Sequence, residues 1–310
     1  MKTAGALIFF NRPKTLAKVF EKVKKVKPPK LFLIQDGPRN QDDIRKIVEC
    51  RNIVNEVDWD CEIFFDYAEK NLGCGVRPQS GITNALKIVD KLIILEDDCV
   101  PELSFFDYCE ELLDRYENDE RIAYISGLNH FEEWDFGGAS YGFTKMGAIW
   151  GWATWRRAWQ RYDYTVEGIN DLYTKKLLKK NILDADKRIS VWEKTNKETT
   201  LGTKLSYWDF QWGFVKYAQS QFVIVPKYNQ ISNIGTGADS THAISMKERH
   251  KKYKDYNHMP TKALEFPLIH PKCMMCDLAY DELVVRCNRG NFFKRIRRFF
   301  AEKCKGVLKK

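Results

Sequence analysis

The sequence predicts an α/β protein with a mostly parallel central sheet flanked by helices, and two observations carry that prediction. Four short apolar runs, GALIFF (5–10), KLFLIQ (30–35), CEIFFDY (61–67) and KLIILE (91–96), recur through the first hundred residues. Each has the length and near-unbroken apolar character of a strand buried on both faces. Between them lie segments whose apolar residues repeat every three or four positions, the period of a helix with one buried face. Strand and helix alternating at this rhythm imply right-handed crossovers in a parallel sheet.

The elements follow in order. PKTLAKVFEKVKKV begins at a proline, which suits a first helical turn, and it places Leu16, Val19, Phe20, Val23 and Val26 on one face. NQDDIRKIVECRNIVNEV repeats the pattern with Ile44, Ile47, Val48 and Ile53, and SGITNALKIVD leads into the fourth run. A further helix is expected to start near Pro101, and RIAYISGLN (121–129) reads as another strand. Beyond it come an aromatic, Gly-rich section, a Lys-rich helical stretch over 170–200, a helix in SYWDFQWGFVKYAQSQ, and FVIVPKYNQISNIGTGADSTH as a strand with a long loop. These divide the chain into a nucleotide-binding α/β half (1–130), a second half of the same domain (131–288) and a basic tail (289–310).

Composition narrows the functional classes. A hydrophobic content of 44% over 310 residues supports a substantial core and excludes a disordered chain. Of the net charge of +9, nearly all lies in the tail, whose nine Lys or Arg face a single Glu. A nucleic-acid binder, which needs its basic residues across a folded face, is therefore disfavoured. Nine scattered cysteines, an odd number, suit reduced thiols, and the CMMC at 273–276 has no second pair to complete a zinc site. The N-terminal apolar stretch is too short for a signal peptide, so the expected location is cytoplasmic.

KLIILE runs straight into Glu96, Asp97 and Asp98. Three ionised groups cannot stay inside a sheet; they belong at its mouth, where water, a cation or a hydroxyl satisfies them. Alternation along a strand puts Glu96 and Asp98 on one side and Asp97 on the other. One acid would suffice to favour the start of a following helix. Three at the carboxyl end of a central strand point to a site for a hard divalent ion or ribose hydroxyls. The ends of the other runs, FNRP, QDGPRN and YAEKNLGCG, are polar or turn-forming, so several loops converge on one crevice.

Taken together, FNRP, DGPRN, NLGCG and LEDDCVPELSFFDYCEELL resemble the inverting, nucleotide-sugar-dependent GT-A glycosyltransferases, in particular the N-acetylglucosaminyltransferase I type, over roughly residues 5–130. The resemblance implies a GT-A fold and a UDP-sugar donor. It gives Asp98 the metal role, with Mn2+ or Mg2+ bridging the diphosphate, and turns Glu96 and Asp97 toward donor sugar or ribose. It assigns nucleotide contacts to Phe10, Asn11, Arg12, Asp36 and Arg77. Asp36 also suits a turn-forming role in QDGP.

An inverting transfer needs a base for the acceptor hydroxyl. Asp209, in SYWDFQWGF, resembles the element that carries it, although the family usually has two adjacent aspartates where this chain has Asp209 and Phe210. An amphipathic core helix with one exposed acid accounts for the same residues. Gly151 and Trp152, in GAIWGWATWRRAW, and Trp208 are candidates for the donor and acceptor pocket, since indole faces stack on sugar rings. His242, in a Gly/Ser/Thr-rich loop, is either structural or a member of the metal shell. In the tail, Phe292, Phe293, Ile296, Phe299, Phe300 and Val307 share one helical side against Lys294, Arg295, Arg297 and Arg298. That pattern suits either an interfacial helix on an anionic membrane or a helix docked on the domain.

The expected acceptor is a glycan or a lipid-linked saccharide, handled by an enzyme peripheral to the inner face of the membrane. Two competing readings are a sugar-nucleotide nucleotidyltransferase and a non-catalytic nucleotide- or glycan-binding protein. FFNRPKTL lacks the Gly-rich phosphate loop that the first of these normally carries.

Overall fold

The computed structural model of the chain describes residues 1–235 and 256–288. Its first part alternates as the sequence predicts: β1 (Ala4–Phe9), α1 (Pro13–Val26), β2 (Lys30–Gln35), α2 (Gln41–Val54), β3 (Glu62–Tyr67), α3 (Arg77–Ile88) and β4 (Lys91–Glu96). There follow β5 (Cys99–Pro101), α4 (Ser104–Arg115), β6 (Ile122–Ser126), β7 (Tyr141–Thr144), β8 (Trp152–Trp155) and the short α5 (Arg156–Trp159). The chain continues through a 3-10 turn (Glu167–Asn170) to α6 (Leu172–Asn181), α7 (Ala185–Thr200), α8 (Asp209–Ala218), β9 (Phe222–Pro226), β10 (Ile231–Asn233) and α9 (Leu278–Asn288).

Eight strands form one sheet in the order β3-β2-β1-β4-β8-β6-β9-β7. Strands β1 to β4 are parallel, β6 and β9 run with them, and only β8 and β7 oppose them. This is the expected α/β, Rossmann-like architecture, with strands from both halves of the chain in one sheet. Along β1, Ala6 and Ile8 enter the core on one face while Leu7 and Phe9 enter the core on the other. Two-sided covering is why these strands read as unbroken apolar runs.

Three local expectations are corrected. β3 is an edge strand, so CEIFFDY is not buried on both faces: Phe64 stacks on Phe32 at 4.4 Å, while Phe65 is 57% exposed. In α2 the buried face is Ile47, Cys50 and Val54, and Ile44 and Val48 lie outside. Asn40 fixes that rotation by accepting the Asp43 N–H at 3.0 Å as the helix N-cap. The residues after Asp98 form β5 before α4 begins at Ser104, because Cys99–Pro101 pairs antiparallel with Ile231–Asn233, a partner invisible to local sequence.

No helix among the described residues is long and apolar enough to cross a membrane. His242 and the tail at 289–310 lie outside the described residues.

Candidate functional site

The site is built on the carboxyl ends of β1, β2 and β4. β4 ends at Glu96, and Asp97 and Asp98 lie in the turn beyond it. The ladder to β1 still reaches Asp97, whose N–H donates to the Ile8 carbonyl at 3.0 Å. Arg12, just past β1, spans both aspartates. Its Nη2 pairs with Asp97 Oδ1, its Nε donates to Asp97 Oδ2 at 3.3 Å, and its Nη1 donates to Asp98 Oδ2 at 2.8 Å. The Phe10 N–H adds a bond to Asp97 Oδ2 at 3.3 Å. Burial works against charge on Arg12, but Asp97 and Asp98 outweigh it and raise its pKa.

Asp97 and Asp98 lie in a turn, so strand alternation does not set their directions; Glu96, Asp98 and Cys99 nevertheless present ligand atoms within 4.8 Å of one another. Asp97 turns instead toward Phe10 and Arg12. Asp98 Oδ1 accepts from Asn233 Nδ2 at 3.3 Å and from the Cys99 thiol at 3.4 Å. The Asp98 carbonyl accepts the Ile234 N–H at 2.8 Å. A Cβ at Gly235 would lie 2.0 Å from Asp98 Oδ2, so the chain leaving β10 lies directly over the carboxylate and a larger residue there would have to displace it.

This donor set fits a divalent cation. Arg12 is paired with Asp97 and Asp98 only, and burial, then the charges of Asp98 and Asp97, push Glu96 up to about 8. Burial also raises Asp97, against the opposing charge of Arg12. Glu96 and Asp98 supply hard oxygen ligands, and Cys99 offers a sulfur beside them.

The other predicted nucleotide contacts wall this cluster, held by protein partners. Asn11 is buried, and its Nδ2 donates to Asp43 Oδ1 at 2.6 Å, tying the end of β1 to the first turn of α2. Both Asp36 oxygens are taken: Oδ1 accepts the N–H groups of Gly37 and Leu72 at 2.9 and 2.7 Å, and Oδ2 accepts the Gly73 N–H and Asn71 Nδ2 at 2.8 and 3.0 Å. Arg77 is buried; its Nε donates to the Gln35 carbonyl at 3.0 Å, and Nη2 lies 2.7 Å from Asp66 Oδ1. Asp36 thus orders the loop after β3, and Arg77 pins that loop's helix to the ends of β2 and β3.

Close backbone approach carries the wall into the second half of the chain. A Cβ at Gly75 would sit 2.2 Å from the Leu205 carbonyl oxygen, the Cys74 thiol donates to the Ser206 carbonyl at 2.8 Å, and Lys204 Nζ donates to the Asn71 carbonyl at 2.7 Å. The segment so held runs into α8, whose first residue is Asp209. Burial chiefly raises Glu96 and Cys74, and the charge of Asp209 adds a small contribution to each. Sequence-distant Asp209 is therefore in electrostatic range of the carboxylate cluster.

Trp152 is fully buried, stacked on Trp208 at 5.7 Å and packed against Trp159, Trp212 and Tyr124. Trp208 is 4% exposed, so neither indole offers an open face to a sugar; they form a platform behind Asp209. Gly151, with φ +57°, tucks against Ile231 and Leu95, where a Cβ would come within 2.3 Å of Ile231. Four contributors escaped sequence reading: Cys99, Asn233, Gly235 and Asp43. The first adjoins the acidic triplet, and the next two open the Gly-rich loop, but their convergence depends on the β5–β10 pairing.

No family model matches the sequence, and no curated protein matches it. Among solved structures, TarS 1–349 of S. aureus is 11% identical with a TM-score of 0.39; the match covers 74% of this chain and 59% of that one, less than two thirds of its length. The 4-diphosphocytidyl-2C-methyl-D-erythritol synthase of Anaerococcus prevotii DSM 20548 is 13% identical with a TM-score of 0.34, over 80% and 99% of the two chains. A UDP-glucose pyrophosphorylase complexed with UDP-glucose is 8% identical with a TM-score of 0.36, over 76% and 94%.

Proposed function

We propose that the chain is a glycosyltransferase of GT-A type that moves a sugar from a UDP-sugar to a hydroxyl of a glycan or lipid-linked acceptor, with inversion. The observation that carries this reading is the cluster of Glu96, Asp97 and Asp98 at the end of β4, with more negative charge than Arg12 offsets and with Asp209 in range.

Glu96 and Asp98 would hold Mn2+ or Mg2+. When bound, such an ion neutralises the charge that develops on the leaving diphosphate. Arg12 sits beside the same position and is suited to pair with a phosphate oxygen, since a guanidinium can serve a carboxylate and a phosphate through separate N–H groups. Asp97, held by the Phe10 N–H and Arg12, fixes that guanidinium. Asp36 and Arg77 serve the nucleotide by ordering the walls around it.

Asp209 begins α8, where the helix dipole favours an ionised carboxylate. As base it takes the proton of the acceptor hydroxyl while that oxygen bonds to the anomeric carbon. The bond from that carbon to the diphosphate oxygen breaks, and UDP leaves with the electron pair. The buried Trp152–Trp208 stack holds the start of α8 in place, which lets a lone aspartate keep its aim.

Incubation with a panel of UDP-sugars, acceptors and Mn2+ tests the reading. UDP as the nucleotide product supports glycosyl transfer. UTP formed from UDP-sugar and pyrophosphate would replace this reading with nucleotidyl transfer. The tail at 289–310 is proposed as a contact with anionic membrane, and its deletion is then expected to move protein into the soluble fraction.

A further inference from the structure

Helix α6 carries a surface that this chemistry does not use. Its sequence, LYTKKLLKKN, has four lysines and no acid. Leu172, Tyr173 and Leu177 are exposed at 79%, 65% and 42%. At about 100° per residue, Lys176 and Lys180 fall on the same side of the helix, between those apolar groups. The other two lysines lean toward α7, where Lys175 lies 2.6 Å from Glu193 and Lys179 lies 3.4 Å from Asp186. Lys176 and Lys180 are in no ion pair among the described residues. On the inner side Leu178 is buried and walls a cavity of about 620 Å³ shared with Phe214, Val215 and Tyr217, with half-exposed Leu177 at its rim and Arg161 beside it.

A solvated helix turns its leucines inward and its lysines outward. Here both kinds share the outward face, and single exposed apolar residues would need no account whereas this cluster does. Two leucines, a tyrosine and two uncommitted lysines suit the boundary of an anionic bilayer: leucine enters the acyl edge, tyrosine sits at headgroup level, and lysine meets phosphate. We propose that α6 docks the protein on an anionic phospholipid surface. This contact involves residues separate from the tail and does not depend on the glycosyltransferase reading. A nucleic-acid partner would leave the leucines in water, so the apolar residues favour lipid. One short helix gives weak, reversible binding that weakens with salt.

Hydrogen exchange on the full chain, read by mass spectrometry with vesicles of mixed phosphatidylglycerol and phosphatidylcholine, tests this locally. Amides in 172–181 should exchange more slowly with these vesicles and not with pure phosphatidylcholine. The double variant Lys176→Glu/Lys180→Glu should lose that protection and bind the mixed vesicles at least about thirtyfold more weakly. Leu172→Ser/Tyr173→Ser should also weaken binding, and both variants should keep the wild-type unfolding temperature. Unchanged exchange in 172–181 with anionic vesicles would overturn the proposal, as would equal protection by neutral ones. Slowing that appears with protein concentration alone would assign the face to a second copy of the chain and overturn it equally.

Discussion

The two sides of the candidate site are held in opposite ways. On the nucleotide side polar groups hold polar groups: Arg12 spans Asp97 and Asp98, four donors fill Asp36, and Asn11 and Arg39 fix Asp43. On the side of Asp209 the support is apolar, a stack of Trp152, Trp159, Trp208 and Trp212 in which the indole N–H groups of Trp152 and Trp212 have no hydrogen-bond partner among the described residues. Charge needs partners close at hand, so the first side uses strand ends and their adjoining turns, where backbone N–H groups and short loops are available. The base proposed at Asp209 needs direction more than neutralisation, and a rigid aromatic platform is suited to supply it. The difference teaches that the two sides fail differently: one by losing charge balance, the other by losing aim.

The most severe break on the aromatic side leaves its platform intact. Asp209→Asn keeps the shape of the side chain and removes its basicity, so kcat should fall by about 10³-fold while UDP binding stays unchanged. Steady-state turnover beside a UDP-binding isotherm separates the two. Equal loss of both would place Asp209 on the nucleotide side and erase the distinction.

A change at the seam between the sides comes next. Gly75→Ala places a Cβ 2.2 Å from the Leu205 carbonyl oxygen, against backbone that cannot yield cheaply. It should cost about 2 kcal/mol in denaturant unfolding, and turnover should fall further than UDP affinity because the segment leading to Asp209 is displaced. A variant as stable and active as wild type would show that the seam does not aim the base.

The smallest effect sharpens the polar side. Asp43 is held well below the usual aspartate range, at about 2, chiefly by the hydrogen bonds from the Arg39 guanidinium against the cost of burial. A depressed carboxylate stabilises the fold above its unfolded pKa, and that contribution disappears as pH falls through the folded value. Asp43→Asn should therefore be less stable than wild type near neutrality by about 1 kcal/mol, a modest figure because Arg39 is largely in solvent. The gap should close between about pH 4 and pH 2. Urea midpoints across that range check it, and a gap independent of pH would assign the loss to packing.

The same contrast explains what was legible in the sequence. The frame from β1 to β4 and the acids at its mouth were readable because they depend on local patterns: apolar runs, helical spacing, and charges that cannot remain in a sheet. Arg12 was found through FNRP, though its hold on both Asp97 and Asp98 was not, since it requires the chain to turn after Glu96. Asp36 and Arg77 are assigned by the resemblance as nucleotide contacts, whereas their saturation by protein partners depends on loops folding against each other and has no local signal. The second half was read less well. The β5–β10 pairing joins residues about 130 apart, and with it come Asn233 and Gly235 at Asp98. The outward turn of Ile44 and Val48 in α2 escaped because two overlapping faces fit the same spacing, and Asn40 chose between them.

The central claim is that Glu96 and Asp98 form a divalent-cation site for a nucleoside diphosphate, and it can be tested without knowing the acceptor. Mn2+ binding in the presence of UDP, followed by the loss of the free-ion electron paramagnetic resonance signal, should show one ion per wild-type chain and at least a hundredfold weaker binding, on the order of the loss of a charged ligand, in Asp98→Ala. Wild-type stoichiometry and affinity retained in Asp98→Ala would contradict the account.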